Sequence, residues 1–154
     1  MPDILLRKAT LNDCEDLFRW RNDEATRMAS FTSAQLIYES HKKWFASSLE
    51  NSNRIILIAE NSSGNKIGNL RLDKINGKVA EISIVLDSAW RGKGLGSKLL
   101  AMVCDMQNDV LLTARVKKNN PHSANAFRRA GFFDILEYPH KEFGDILLLG
   151  RMMR

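Results

Sequence analysis

Residues 81–98, Glu-Ile-Ser-Ile-Val-Leu-Asp-Ser-Ala-Trp-Arg-Gly-Lys-Gly-Leu-Gly-Ser-Lys, decide how this chain folds. Ile82 to Leu86 is apolar apart from Ser83 and rich in β-branched residues, which reads as a strand with little of it in water. The strand ends in a short loop with Arg91, Lys93 and the glycines Gly92, Gly94 and Gly96, and the loop opens into an apolar run at helical spacing. Glycine lets the main chain approach a ligand closely. Amides at a helix N-terminus point at an anion, and Arg91 and Lys93 add charge. The segment therefore predicts a cradle for a pyrophosphate.

Working outward, Lys66 to Ile75 and Lys78 to Leu86 read as two strands joined by Asn76-Gly77, the strongest short hairpin signal, so the sheet approaches the loop antiparallel. Upstream, the pattern predicts a strand at residues 4–8, a helix capped by Asn12 with Glu15 and reaching Trp20, a second helix from Ser33 to Leu49, and a strand from Arg54 to Glu60. Helical spacing puts Ile37, His41, Trp44, Phe45 and Ser48 on one face of that second helix. Downstream, Leu95, Leu99, Met102, Val103 and Met106 mark one face of a helix ending near Gln107. Then come a strand from Val110 to Val116 and a short helix between Asn120-Pro121 and Gly131. Strands at Phe132–Glu137 and Asp145–Arg151 close the chain. The order β-α-α-β-β-β-α-β-α-β-β describes one α/β (α+β) domain over residues 1–154, with a mixed, mostly antiparallel central sheet.

A chain of 154 residues can bury a core of its own. Its net charge of +5, from 23 Lys+Arg against 18 Asp+Glu, leans towards an anionic ligand. Cys14 and Cys104 lie far apart outside any Cys-x-x-Cys or Cys/His cluster, which predicts reduced core cysteines and no metal. No apolar stretch approaches the roughly 18 residues of a membrane span, and no signal-peptide pattern opens the chain. The expectation is a cytoplasmic protein that engages neither membrane nor nucleic acid, as a monomer or homodimer.

Spacing separates the possible phosphate loops. A Walker loop ends in Gly-Lys-Ser/Thr, whereas the order here is Gly96-Ser97-Lys98. A dinucleotide fingerprint has Gly-x-Gly-x-x-Gly in a βαβ unit, an interval that Gly92-x-Gly94-x-Gly96 lacks. Arg91-Gly92-Lys93-Gly94-Leu95-Gly96 instead resembles the Gln/Arg-x-x-Gly-x-Gly/Ala motif with which GNAT (Gcn5-related) N-acetyltransferases bind acetyl-CoA. Asn120-Pro-His-Ser123, then Phe127 and Gly131-Phe132, resembles the block that follows the fifth strand in that family.

The resemblance implies a cosubstrate, acetyl-CoA, held by Arg91, Gly92, Lys93, Gly94, Leu95, Gly96 and Ser97. Its pantetheine arm would lie where the fourth and fifth strands splay, pairing with Ser83, Ile84 and Val85, with the Val85 N–H polarising the thioester. Asn120 would hold the arm and Phe127 would pack near the thioester. Lys117, Lys118, Arg128 and Arg129 could favour its phosphates. Many relatives carry a glutamate 12 residues before a general-acid tyrosine; here those positions are Arg115 and Phe127, so the substitutes are Glu81, Ser83, His41 and Tyr138.

For the acceptor, Trp20-Arg21-Asn22 with Glu39-x-His41 and Trp44-Phe45 resembles the acetyltransferases of UDP-linked 4-amino sugars in pseudaminic and related nonulosonic acid synthesis. That likeness implies a nucleotide-sugar amine bound by Trp20, Arg21, Asn22 and His41. Aromatic faces suit a sugar or uracil, and Arg21 suits a diphosphate. Trp20, Trp44 and Phe45 serve equally as core anchors. N-terminal acetylation of ribosomal or other proteins, and a non-catalytic acetyl-CoA-binding module, stay open as alternatives.

Overall fold

A computed structural model of the protein describes residues 3–31, 33–106 and 109–152. Its strands are β1 (Ile4–Lys8), β2 (Arg54–Asn61), β3 (Lys66–Lys74), β4 (Val79–Leu86), β5 (Leu111–Lys117), β6 (Phe133–His140) and β7 (Gly144–Met152). Its helices are α1 (Cys14–Asn22), α2 (Glu24–Ala29), α3 (Tyr38–Glu50), α4 (Leu95–Cys104) and α5 (Pro121–Arg129). The seven strands lie in the order β1-β2-β3-β4-β5-β7-β6. Pairing is antiparallel at β1/β2, β2/β3, β5/β7 and β6/β7, and parallel at β4/β5. The expected α/β class and mixed sheet are present, with α2 as an additional helix. The chain divides into two compact units, Met1–Asp73 with Ser83–Trp90, and Lys74–Ile82 with Arg91–Arg154.

In the first unit, Leu17 and Trp20 of α1, Phe45 of α3, and Ile56 and Ile58 of β2 form the core, with Trp44 and Val85 packed against it. The entry to α1 corrects the expected Asn12 cap: Thr10 N–H donates to Asp13 Oδ2 at 2.8 Å, so the cap lies two residues earlier. Asp13, only 1% exposed, also receives both arms of Arg7 at 2.9 Å and Lys66 Nζ at 2.8 Å. Burial alone would raise its carboxyl, but the bonds from Arg7, Lys66 and Thr10 outweigh that and hold it well below the usual carboxylate range.

Helix α3 starts at Tyr38 instead of Ser33, because Asn22 Oδ1 accepts from Leu36 N–H at 2.8 Å and keeps the preceding chain extended. Ile37, the residue before its first turn, is therefore exposed, whereas His41, Phe45 and Ser48 are buried as expected. Gly68 of β3 permits a close approach to β4: a Cβ there would lie 2.2 Å from the Val85 carbonyl oxygen and 2.9 Å from Leu86 Cα.

In the second unit, the Asn76-Gly77 turn forms as expected, with Asn76 Oδ1 accepting from the Lys78 and Val79 N–H groups at 2.7 and 3.0 Å. The β4/β5 ladder runs from Val79↔Leu111 to Glu81↔Thr113 and stops there, although β4 continues to Leu86. Leu95, Leu99, Leu100, Val103 and Cys104 form the buried face of α4. Met106, expected on that face, lies past the helix end and is exposed, and the expected end at Gln107 falls outside the described residues. Asn120 caps α5 through Ser123 N–H at 3.3 Å, and Gly131 ends it at φ +95°. Cys14 and Cys104 are free and buried.

Candidate active site

The loop after β4 has the geometry its glycines predict. Gly92 and Gly94 both take φ +74°, and a Cβ at either would meet nothing within 4 Å, so the main chain there faces open space. Gly94 stands at the N-cap of the ten-residue α4 with no side-chain cap on its amides, while Ser97 Oγ donates back to the Gly94 carbonyl at 3.2 Å. Uncapped N–H groups at a helix start bind a phosphate. The residues present thus fit a pyrophosphate-bearing cosubstrate. Leu95 is buried and serves the loop through its backbone alone.

Several side chains expected at the site do other work. Phe127 is 3% exposed and packs edge-on against Phe132 at 5.0 Å, which corrects its placement near a thioester to the inner face of α5. The Asn120 side-chain oxygen is committed to the α5 cap. Lys117 is buried with Nζ 4.4 Å from the Phe143 ring centre, Lys118 pairs with Glu137 at 3.1 Å, and Arg128 pairs with Asp134 at 2.8 Å. Glu81 receives Arg115 Nε and Nη2 at 2.7 and 3.0 Å, and the same guanidinium also interacts with the Tyr138 side chain. The structure thus joins two expected proton-transfer groups through Arg115, with both Glu81 oxygens occupied. Ser83 is exposed on β4.

The acceptor-side residues divide sharply. Trp20 is 2% exposed and its indole N–H donates to Asp87 Oδ2 at 2.9 Å, beside Arg19 on the same oxygen at 2.6 Å. Burial would raise the Asp87 carboxyl, yet the bonds from Arg19, the Ala89 amide and Trp20 bring it down to about 2. Trp20 is therefore a core anchor pinned to the end of β4, correcting its expected place against substrate. Asn22 is likewise committed, its side chain to Leu36 and its carbonyl to Arg27 Nε at 3.1 Å.

His41 and Arg21 do meet. His41, 2% exposed, has Nδ1 at 3.1 Å from Arg21 Nη1 and Nε2 at 3.2 Å from the Cys14 carbonyl oxygen. An arginine only donates and a carbonyl only accepts, which assigns a neutral ring with the proton on Nε2. Burial, then the Arg21 charge, lowers the His41 pKa, opposed only by the Cys14 carbonyl. With both nitrogens engaged, His41 is no free base, which corrects its expected catalytic role. Its effect is to hold Arg21 over the Trp44 ring, 3.9 Å from the centroid.

Sequence reasoning missed the rest of this cluster. Arg54 and Arg71 also lie over Trp44, at 5.5 and 5.8 Å, and their Nε atoms share Asp73 at 2.6 and 3.0 Å. Burial, then Arg71 and Arg54, pulls the Arg21 pKa down to about 10. Three guanidiniums around one indole, answered by a single carboxylate among the described residues, leave a surplus of two positive charges.

A phosphate-gripping loop between strand and helix on a mixed sheet is the construction of an acetyl-CoA-dependent N-acetyltransferase. The profile of the Acetyltransferase (GNAT) domain matches residues 3–133, and the chain belongs to this family. YwnH of Bacillus subtilis (strain 168), named for phosphinothricin acetyltransfer, is 30% identical over 96% of this chain and 98% of its own. MJ1062 of Methanocaldococcus jannaschii, an uncharacterized protein, is 28% identical over 84% of this chain, which spans 28% of that protein's length. Among solved structures, Vibrio cholerae spermidine N-acetyltransferase with CoA and spermine superposes with a TM-score of 0.87 at 16% identity, covering 97% of this chain and 95% of that one. A structure named for phosphinothricin N-acetyltransfer gives 0.80 at 26% identity, covering 99% of each chain.

Proposed function

We propose that the protein acetylates the primary amine of a small molecule carrying two negative charges, with the 4-amino group of a UDP-linked deoxy-amino sugar as the leading candidate. The observation that carries this is the surplus of two positive charges at Arg21, Arg54 and Arg71 around Trp44. A diphosphate brings the matching charge, arginine forks suit its oxygens, and an indole suits a sugar or base. A polycation such as spermidine, the substrate named for the Vibrio cholerae neighbour, would be repelled there, as would a basic peptide N-terminus. A second reading, an amino acid with a further acidic group such as phosphinothricin, is favoured by the likeness to YwnH.

Acetyl-CoA, when bound, supplies an activated thioester: the amine nitrogen forms the new C–N bond as C–S breaks, and the proton lost from nitrogen is balanced by the one the thiol gains. The Arg91–Ser97 amides grip the pyrophosphate, and Ser83, Ile84 and Val85 offer backbone groups beyond the end of the β5 ladder. Val85 N–H stabilises the charge that develops on the acetyl oxygen. Arg21 fixes the acceptor's anion so that holding the two reactants supplies much of the rate. Tyr138, which interacts with Arg115, is the candidate donor of the thiol proton. Residues 1–154 act as one catalytic domain. Thiol release from acetyl-CoA, measured with a UDP-4-amino sugar, phosphinothricin, spermidine and an Ala-initiated basic peptide, tests the reading. Turnover confined to the first two supports it, and turnover confined to spermidine or the peptide overturns it.

A further inference from the structure

β3 carries a polar residue where its neighbours are apolar. The register pairs Asn69 with Ile58 and Arg71 with Ile56, and directly paired residues share a face of the sheet. Ile56 and Ile58 on that face belong to the same core cluster as Phe45, against which Trp44 and Val85 pack. Asn69 is only 7% exposed, and its Oδ1 is buried with no hydrogen-bond partner among the described residues. An orphaned buried acceptor destabilises the fold, a cost that a leucine in its place would not incur. Two residues along the same face, about 7 Å by strand geometry, stands Arg71 of the cationic cluster. At the next residue back, Gly68, a Cβ would collide with the Val85 carbonyl.

We propose that Asn69 Oδ1 is the hydrogen-bond acceptor for the substrate's amine, receiving one N–H while the guanidiniums over Trp44 hold the anionic end. This rests on the acetyl-transfer reading above but not on which anion the acceptor bears. An amide oxygen accepts from an ammonium or a neutral amine without taking its proton, so Asn69 orients the nitrogen and leaves its lone pair free. Rotation about χ2, a broad torsion in asparagine, turns the oxygen towards the incoming group. The site suits a primary amine, which can donate one N–H to Asn69 and still present its lone pair to the thioester.

The test is Asn69→Leu in the full chain, with Asn69→Ala as the second variant should leucine not fit. Thiol release is followed on whichever amine of the panel the wild type turns over, alongside acetyl-CoA affinity and thermal melting. The expected result is a ten- to hundredfold fall in kcat/KM for the amine, unchanged acetyl-CoA affinity, and a melting temperature equal to or above wild type. Unchanged kcat/KM in the variants overturns the assignment. So does a fall matched by lost thermal stability in both, which would make Asn69 a structural residue. Turnover of spermidine alone would remove the dianion reading and still leave Asn69 to be judged by its variants on spermidine.

Discussion

Replacing Arg21 with glutamine isolates the charge of the anion anchor. A glutamine amide N–H can still donate to His41 Nδ1, now met by Arg21 Nη1 at 3.1 Å, and its stem can still lie on Trp44. The substitution removes a cation already disfavoured by burial and by Arg71 and Arg54, so the free enzyme should melt at or above the wild-type temperature. The acceptor meanwhile loses a charge-assisted hydrogen bond worth about 2 kcal/mol. At 1.4 kcal/mol per tenfold change, that raises the acceptor KM roughly 30-fold. The assay is thiol release at saturating acetyl-CoA with the acceptor varied, then the reverse for the acetyl-CoA KM, which should not move. Arg21→Lys should recover part of the loss, since an ammonium lacks the planar fork. An unchanged acceptor KM in Arg21→Gln would refute the anchor.

Acid should weaken acceptor binding through His41. Its folded pKa lies below the ordinary value of 6.5, so the neutral ring accepts from Arg21 at neutral pH, and protonation sets two donors against each other. Acceptor KM should stay flat from pH 8 to about 6.5 and rise below it, while His41→Gln flattens the profile; a rise of equal size in that variant would assign it to the substrate. Gly68→Ala should push on the Val85 and Leu86 backbone, costing about 1–3 kcal/mol and lowering kcat; urea unfolding and steady-state rates check this, and a wild-type kcat would contradict it. Asp13→Ala strips the shared partner from Arg7 and Lys66 and should cost about 3 kcal/mol. Because the Asp13 pKa is lowered on folding, its contribution is present above the ordinary 3.8 and fades as pH falls below it. Denaturant titrations between pH 7 and 3 should therefore show a shallower acid decline in the variant.

Local rules were legible and long-range ones were not. The glycine loop could be read because φ > 0 at Gly92 and Gly94 and the strand-to-helix order are properties of adjacent residues. The Asn76-Gly77 turn and the Asn120 cap are local in the same way. Helix α2 escaped because its six residues bury nothing, and it is held by Asp23 Oδ2 accepting from Thr26 N–H at 3.1 Å. Trp20 and Arg21 are adjacent letters with opposite fates, since successive helix residues point about 100° apart. Only tertiary packing shows which of them faces the core. Arg54 and Arg71 meet through the β2/β3 register and converge on an indole from α3, a coincidence no motif encodes. Asn69 carried no signal of its own, being one of several polar letters in β3 beside Lys66, Arg71, Asp73 and Lys74.

The guanidinium trio over Trp44 also governs how the catalytic cycle ends. Acetylation converts the amine to an amide but leaves the acidic end of the molecule untouched, so the grip on that end is as firm after the reaction as before. Departure of the finished compound then competes with chemistry for control of turnover. Added salt, by loosening that hold, should quicken release even as it hinders capture.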